Sequence, residues 1–168
     1  MNIYLIIIVV ALLIDFFLHT LSKILDLKNL SIKLPNEFNG YYSEDEYIRS
    51  QEYLRSNTRF SYFTSTLNII IILLVIFTGF FNTIDLWVRE FGFSPLITGL
   101  VFFAVLFFIQ DLFVTPFALY NTFIIEEKFG FNKTTLSTFF MDKIKGYFLL
   151  GVIGAPVLSL VLYFFREF

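Results

Sequence analysis

Residues 126–135 read E-E-K-F-G-F-N-K-T-T and form the most polar run in the second half of the chain. They separate two long apolar segments, so the architecture on either side depends on how the chain turns here. Gly130 permits a backbone conformation with positive φ, which predicts a turn at that position. Asn132 or Thr134 is expected to cap the following helix, because Asn and Thr side chains accept hydrogen bonds from free helical N–H groups.

The composition of the whole chain is that of a membrane protein. Of its 168 residues, 57% are hydrophobic and only 15% are charged, whereas an average soluble domain carries about 25% charged residues. The net charge of −2 provides no basic field, so nucleic acid is excluded as a partner. Cysteine is absent, and a single histidine, His19, excludes any zinc motif that needs two histidines within this chain.

Four apolar segments are long enough to cross a bilayer as helices. A spanning helix needs about 20 mostly apolar residues, and the segments cover roughly residues 3–21, 62–81, 96–119 and 147–165. The first segment is interpreted as a span and not as a signal peptide. A signal peptide has basic residues before its apolar run, whereas the first basic residue of this chain, Lys23, follows the run. We therefore predict an all-α integral membrane domain over residues 1–168, with four transmembrane helices and interfacial helices on the cytoplasmic side.

The first polar connection, residues 22–60, contains signals for a turn and for a helix. Asn39-Gly40 is typical of a turn. Ser43 followed by Glu46 matches a capping box, in which each side chain bonds a free backbone N–H of the other residue. A helix is therefore expected from about residue 44, and it could continue into the second span.

The basic residues predict the orientation in the membrane. The connections 22–60 and 120–146 together hold ten of the 12 Lys and Arg residues. By the positive-inside rule, both connections are expected in the cytoplasm and the N-terminus outside it. Apolar residues recur at helical spacing from Leu136 onward, so an interfacial helix is expected at the end of the second connection.

Polar side chains inside the apolar segments are candidate functional groups, because placing them in hydrocarbon is costly. Gln110 and Asp111 lie deep in the third segment and either line a wet cavity or bond to another helix. Asn68 in the second segment is interpreted mainly as a bond between helices. Asp15 and His19 share one face of the first segment and form either a proton-relay pair or local hydrogen bonds near the headgroups.

The adjacent carboxylates Glu126 and Glu127 could serve acid–base chemistry, although adjacent carboxylates on a polar loop are usually just solvated. The sequence contains no glycine-rich phosphate loop, nucleophile elbow, H-E-x-x-H motif or Cys/His cluster. The residues alone therefore predict a four-span bundle with a structured cytoplasmic side, and they indicate no reaction.

Around the polar run, the sequence resembles a known family. The letters I-E-E-K-F-G-F-N-K-T-T, preceded by Y-N-T-F, resemble the N-terminal membrane region of the type I CAAX prenyl proteases, which are integral-membrane zinc metalloendopeptidases. The pattern E-E-x-x-G-F-N-x-x-T is specific, and the resemblance extends from about residue 34 to residue 165. It also includes Leu34, Pro35, Tyr47, Gln51, Tyr53, Phe60, Pro116, Phe139, Asp142, Lys145 and Gly146.

The resemblance implies proteolysis. Family members cleave peptide bonds near the C-terminus of prenylated CAAX substrates or, in bacteria, act in membrane-protein quality control. Their zinc lies in an intramembrane chamber, and its ligands are the two His of H-E-x-x-H and a downstream Glu, all C-terminal to the matched region. No catalytic or metal residue is therefore carried over, and this chain alone is expected to bind no zinc and to be inactive. The implied partners are the lipid bilayer, a C-terminal catalytic region absent from this chain, and a peptide or prenylated protein substrate.

The resemblance also assigns two groups of residues. Candidates for the chamber lining are Asn68, Gln110 and Asp111, and the candidate rim turn, bonded to the catalytic region, consists of Glu126, Glu127, Gly130, Phe131 and Asn132. The chain would then be either a piece of such a protease or a stand-alone protein of the N-terminal type. The alternative function is a non-enzymatic membrane scaffold or transporter-like bundle, whose cavity Asp15, Asp111 and Gln110 would line.

Overall fold

Helices are the only regular secondary structure in the described part of this chain. The structure is a computed structural model and describes residues 2–31, 33–35, 40–41 and 43–167. Four helical stretches in these ranges are long and apolar enough to cross a bilayer, namely Ile3–Asn29, Glu44–Phe77, Pro95–Phe129 and Leu136–Glu167. The predicted all-α membrane fold with four spans is confirmed. The turn predicted at Asn39-Gly40 falls partly outside the described residues.

The helices are numbered here in chain order. They are α1 (Ile3–Asn29), α2 (Glu44–Phe77), α3 (Phe80–Arg89), α4 (Pro95–Tyr120), α5 (Glu127–Phe129), α6 (Leu136–Leu149) and α7 (Ala155–Glu167). Two π-helical segments, π1 (Asn121–Glu126) and π2 (Leu150–Gly154), join α4 to α5 and α6 to α7. A π-helical turn is one residue wider than an α-helical turn, and such turns are frequent at functional sites.

The start of α2 follows the predicted capping box. The Ser43 side chain accepts a hydrogen bond from the Glu46 backbone N–H at 3.2 Å, and Glu46 Oε2 accepts one from the Ser43 N–H at 3.3 Å. From there α2 runs for 34 residues without interruption. At a rise of about 1.5 Å per residue it is roughly 50 Å long, whereas the hydrocarbon core is about 30 Å thick. Part of α2 must therefore extend beyond the apolar layer.

The start of α6 differs from the prediction. The N-cap is Thr135, whose side chain accepts a hydrogen bond from the Thr138 backbone N–H at 3.1 Å. The prediction of Asn132 or Thr134 as the cap is therefore wrong, because the backbone is still extended at Thr135 and the helix begins only at Leu136. From Leu136 the helical stretch continues through π2 to Glu167, so the expected interfacial helix and the fourth span form one run of 32 residues.

The chain divides into two compact units. The first consists of Met1–Thr78 and Phe117–Asn132. Within it, α1 is joined to α2 by Lys23, whose Nζ donates to Ser65 Oγ at 2.6 Å and to the Ser61 carbonyl at 3.2 Å. The ammonium group of Lys23 is thereby placed against polar atoms of the neighbouring helix, which lowers the cost of its position.

Aromatic rings connect the middle of α2 to residues 117–120 in the same unit. The ring of Phe60 lies 4.9 Å from the ring of Tyr120 and 6.4 Å from that of Phe117, measured between centroids. Phe63, one turn further along α2, also contacts Phe117, at 6.5 Å. These separations are typical of favourable aromatic pairs, so the chain entering π1 is fixed to α2.

The second unit consists of Gly79–Pro116 and Lys133–Phe168. Helices α4 and α7 approach closely at Gly99, where an added Cβ would lie only 2.8 Å from Leu162 Cδ1. On the short helix α3, Asp85 forms a 2.8 Å ion pair with Arg89, and this contact raises the pKa of Arg89 above its ordinary value. The pair is exposed and contributes little to stability.

Very little apolar surface is buried within the described residues. Only four apolar side chains are buried there, namely Leu34, Val88, Ile125 and Phe129. In the most apolar window of each spanning stretch, between 0% and 6% of the residues are buried. Exposed apolar surface of this extent requires lipid or further helices to cover it.

Candidate functional site

The polar run of residues 126–135 begins as a helix C-terminus with a Schellman motif. The Phe131 N–H donates to the Glu126 carbonyl at 2.9 Å, and the Gly130 N–H donates to the Glu127 carbonyl at 3.0 Å. Gly130 has φ +77°, a conformation that residues with a Cβ rarely adopt. The turn expected at Gly130 is therefore present, and the glycine is required because of its backbone conformation.

This turn packs against the polar half of α2. Tyr53 contacts both Phe129 and Phe131, with ring centroids 5.8 Å and 4.7 Å apart. Phe129 is buried and Phe131 is exposed. The two phenylalanines on either side of Gly130 thus hold the turn on one tyrosine, which explains why the sequence reads F-G-F at this point.

Two side-chain hydrogen bonds link the polar residues of the turn. Asn132 Nδ2 donates to Glu127 Oε2 at 2.8 Å, across the turn. Asn121 Nδ2, at the start of π1, donates to Glu126 Oε1 at 3.0 Å. The two neighbouring carboxylates therefore have different partners, and Glu126 is half-buried whereas Glu127 is exposed.

A second polar cluster lies in the second unit, on α4 and α6. Lys143 Nζ lies 2.5 Å from Asp111 Oδ1 and 2.6 Å from Oδ2, and the Tyr147 hydroxyl donates to Oδ2. Thr115 donates to the Asp111 backbone carbonyl at 2.6 Å. Phe107 packs against the Tyr147 ring with centroids 6.1 Å apart. The carboxylate of Asp111 is thus neutralised by a lysine from another helix.

The remaining predicted positions show no such partners in the described part of the chain. Asn68 and Gln110 are exposed on α2 and α4. Asp15 and His19 are both exposed on α1 and form no hydrogen bond with each other among the described residues. A shallow concavity of about 520 Å³ lies along α6, lined by Ile144, Lys145, Gly146, Phe148 and Leu149, none of which was predicted as lining. The assignment of Asn68, Gln110 and Asp111 to a chamber lining stays a prediction.

The described residues do not fit a zinc ion. No group of three or more His, Cys, Asp or Glu side chains in the described ranges is placed to hold a metal. Zinc in catalytic sites takes three protein ligands of these types. No chemical step is therefore assigned to a metal on this part of the molecule.

Sequence reasoning missed the residues that complete both clusters. The sequence pattern places Lys143 on the expected interfacial helix and Tyr147 at the start of the fourth span. Nothing local connects them with Asp111, which is 32 and 36 positions away. Asn121 enters the sequence pattern only through the family resemblance. Lys143 and Tyr147 are four residues apart and therefore lie on one face of a helix. This shared face was the available indication that both could contact the same partner.

This helical membrane chain is similar to known proteins. The family model described as the CAAX prenyl protease N-terminal region, with five membrane helices, matches residues 23–168. The chain therefore belongs to the CAAX prenyl protease family, as its N-terminal membrane region, and the family consists of proteases.

Individual relatives agree with this assignment. The CAAX prenyl protease 1 homolog of Dictyostelium discoideum is 31% identical over 142 residues, which are 82% of this chain and 33% of that protein. The CAAX prenyl protease 1 of Saccharomyces cerevisiae is 32% identical over 146 residues, 81% of this chain and 32% of that protein. The crystal structure of S. mikatae Ste24p has a TM-score of 0.88 and 28% identity, covering 100% of this chain and 41% of that one. The chain spans about a third of the length of these curated relatives.

Proposed function

We propose that this chain forms the wall and cytoplasmic rim of the intramembrane chamber of a zinc-dependent endopeptidase. The observation that carries the proposal is the similarity to S. mikatae Ste24p over the whole of this chain, with a TM-score of 0.88. The chain corresponds to about a third of its curated relatives, which are named CAAX prenyl proteases. In this proposal the zinc and the catalytic residues belong to the remaining part of the protein, and the chain supplies none.

The exposed apolar helices support a role as a wall. Because at most 6% of the residues in each spanning window are buried, the helices leave apolar faces for lipid on one side and for further helices on the other. Asn68, Gln110 and Asp111 are the lining candidates. Of these, Asp111 has its charge balanced by Lys143, so it would act as a polar surface and not as a free acid or base.

The turn supports a role as a rim. Glu126, Glu127, Gly130, Phe131 and Asn132 form a rigid structure against the half of α2 that begins at the polar capping box. The length of α2 extends this half beyond the hydrocarbon core. A turn fixed in this position is suited to hold a second part of the protein above the chamber.

We further propose that the rim is cytoplasmic and that the N-terminus lies outside the cytoplasm. Ten of the 12 Lys and Arg residues are in the two connections 22–60 and 120–146, and basic connections stay inside. Reporters fused before Asn2 and inserted after Gly92 should both be extracytoplasmic, whereas one inserted after Lys133 should be cytoplasmic. A cytoplasmic reporter before Asn2 would contradict the orientation.

The activity is tested with the full-length protein. Incubated with a farnesylated peptide that ends in a CAAX sequence, it should release the C-terminal residues, and a zinc chelator should abolish cleavage, because zinc activates the attacking water in such enzymes. Restoring zinc should restore cleavage. A full-length protein that neither binds zinc nor cleaves prenylated or unmodified peptides would contradict the proposal and favour a non-enzymatic scaffold.

A further inference from the structure

Glu126 is a half-buried carboxylate with no cationic partner in the described part of the chain. One oxygen, Oε1, accepts from Asn121 Nδ2. In the described ranges the ion pairs are Arg89–Asp85, Lys143–Asp111 and Lys145–Asp142, so Glu126 takes part in none of them. Carboxylates that are removed from water normally have a positively charged partner. Within the described residues, no cation balances the charge of this half-buried carboxylate.

The second oxygen of Glu126 is available for such a partner. Glu126 Oε2 has no hydrogen bond among the described residues. If it were buried, it would count there as a buried polar atom without a partner, but the atom of that kind in the described ranges is Asn121 Oδ1. Glu126 Oε2 thus reaches the surface. A cationic side chain could contact it without displacing any bond that the carboxylate already makes.

The Asn121 amide fixes the orientation of the Glu126 carboxylate. Its amide must present Nδ2 to Glu126, because the reverse orientation would place two acceptors against each other. The consequence is that Asn121 Oδ1 is buried without a partner among the described residues, which is unfavourable. An asparagine that leaves its own acceptor unsatisfied while it orients a carboxylate is expected where the carboxylate has a further use.

The backbone around Glu126 is fixed as well. It ends a π-helical segment, its carbonyl accepts from Phe131 N at 2.9 Å, and the turn is held on Tyr53. An acceptor that is pre-oriented on a rigid element suits a permanent contact, because little freedom is lost when the contact forms. A transient contact with passing substrate would not require it.

We propose that Glu126, oriented by Asn121, accepts a salt bridge from an Arg or Lys side chain of the catalytic region of the same protein. The proposal rests on the proposed function, since it needs that region to be present. It names Glu126 as the docking residue of the rim and Asn121 as a positioning residue. The chemistry is that of a carboxylate with a guanidinium or ammonium group.

The test uses the full-length protein in detergent. Glu126→Gln removes the charge but keeps an oxygen that accepts from Asn121, and Glu52→Gln, an exposed glutamate on α2, is the matched control. Glu126→Gln should lower the apparent Tm by about 2–4 °C or more relative to the control and should increase zinc loss on dialysis. Equal Tm values and equal zinc retention in the two variants would overturn the proposal.

Charge reversal identifies the partner. In a Glu126→Lys protein, each Arg or Lys of the catalytic region is changed to Glu in turn, and one reversal should restore the Tm. If no reversal restored the Tm of the Glu126→Lys protein, the proposal would be overturned. Restoration only by a substrate peptide of reversed charge, or only by replacing amine-bearing lipids, would also overturn it.

The role of Asn121 is tested separately: Asn121→Ala should lower the Tm less in a Glu126→Ala background than in wild type, because no carboxylate remains there for it to orient. An equal loss in both backgrounds would show that Asn121 does not act through Glu126.

The salt bridge of Glu126 and the proposed function can be refuted separately. A wild-type protein that binds zinc and cleaves peptide, with Glu126→Gln indistinguishable from Glu52→Gln, refutes the salt bridge and leaves the proposed function intact. A wild-type protein without zinc and cleavage refutes both.

Discussion

At the residue scale, the turn after α5 depends on the backbone conformation of Gly130. Its φ of +77° explains the glycine without reference to any neighbour, since nothing lies within 4 Å of the place where a Cβ would be. Residues with a Cβ pay roughly 1–2 kcal/mol in this conformation. A local backbone requirement of this kind is readable from sequence because one residue type satisfies it.

Gly130→Ala tests this requirement. We expect a loss of stability of about 1 kcal/mol, measured by thermal unfolding in detergent. Gly146→Ala is the matched control, because Gly146 is helical and also has open space at its Cβ position. It should be neutral or slightly stabilising. A Gly130→Ala protein as stable as the Gly146→Ala protein would show that the turn adopts another conformation.

Asp111 is the opposite case, because its environment was not readable from sequence. Its depth in an apolar segment predicted that it would need a polar partner, but not that Lys143 and Tyr147 would provide one. Such contacts depend on how two distant helices pack. The sequence therefore indicated that the Asp111 carboxylate needs a polar partner, and only the structure showed which residues provide it.

The Asp111–Lys143 pair is tested by a double-mutant cycle. Asp111→Asn and Lys143→Met should each be destabilising, and the double variant should be less destabilised than the sum of both. The coupling is expected to be about 1–3 kcal/mol, because each single change leaves the other charge unpaired in an apolar setting. Additive single effects would indicate that the 2.5 Å contact does not contribute to stability.

At the element scale, starts of helices were predicted where a local motif exists and missed where it does not. The capping box at Ser43 correctly located the beginning of α2. The cap of α6 was misplaced by at least one residue, because several Asn and Thr residues in a row offer similar caps. The π-helical segments π1 and π2 have no sequence signature comparable to a cap, and their presence depends on packing.

Tyr53 connects two elements and can be tested without changing the turn itself. Tyr53→Ala should release the turn from α2, whereas Tyr53→Phe keeps the ring that contacts Phe129 and Phe131. We expect trypsin to cleave after Lys128 several times faster in the alanine variant than in wild type, since cleavage requires local opening. Unchanged cleavage after Tyr53→Ala would show that other contacts hold the turn.

At the scale of the whole molecule, the membrane class followed from composition and the family from one short pattern. A chain that is 57% hydrophobic, with four long apolar segments, has few alternatives to a helical membrane protein. The pattern around Gly130 predicted the family, which the match over residues 23–168 confirms. The proposed lining and rim roles could not be derived in this way, because they depend on contacts that this chain does not itself contain.

We propose that this chain encloses a metal site whose ligands it does not supply. The most direct measurement is the zinc content of two purified samples, the full-length protein and residues 1–168, after equal dialysis against trace metal. The account predicts roughly one zinc per full-length chain, as in catalytic sites with three protein ligands, and only background zinc in residues 1–168. Stoichiometric zinc in residues 1–168 alone would contradict it.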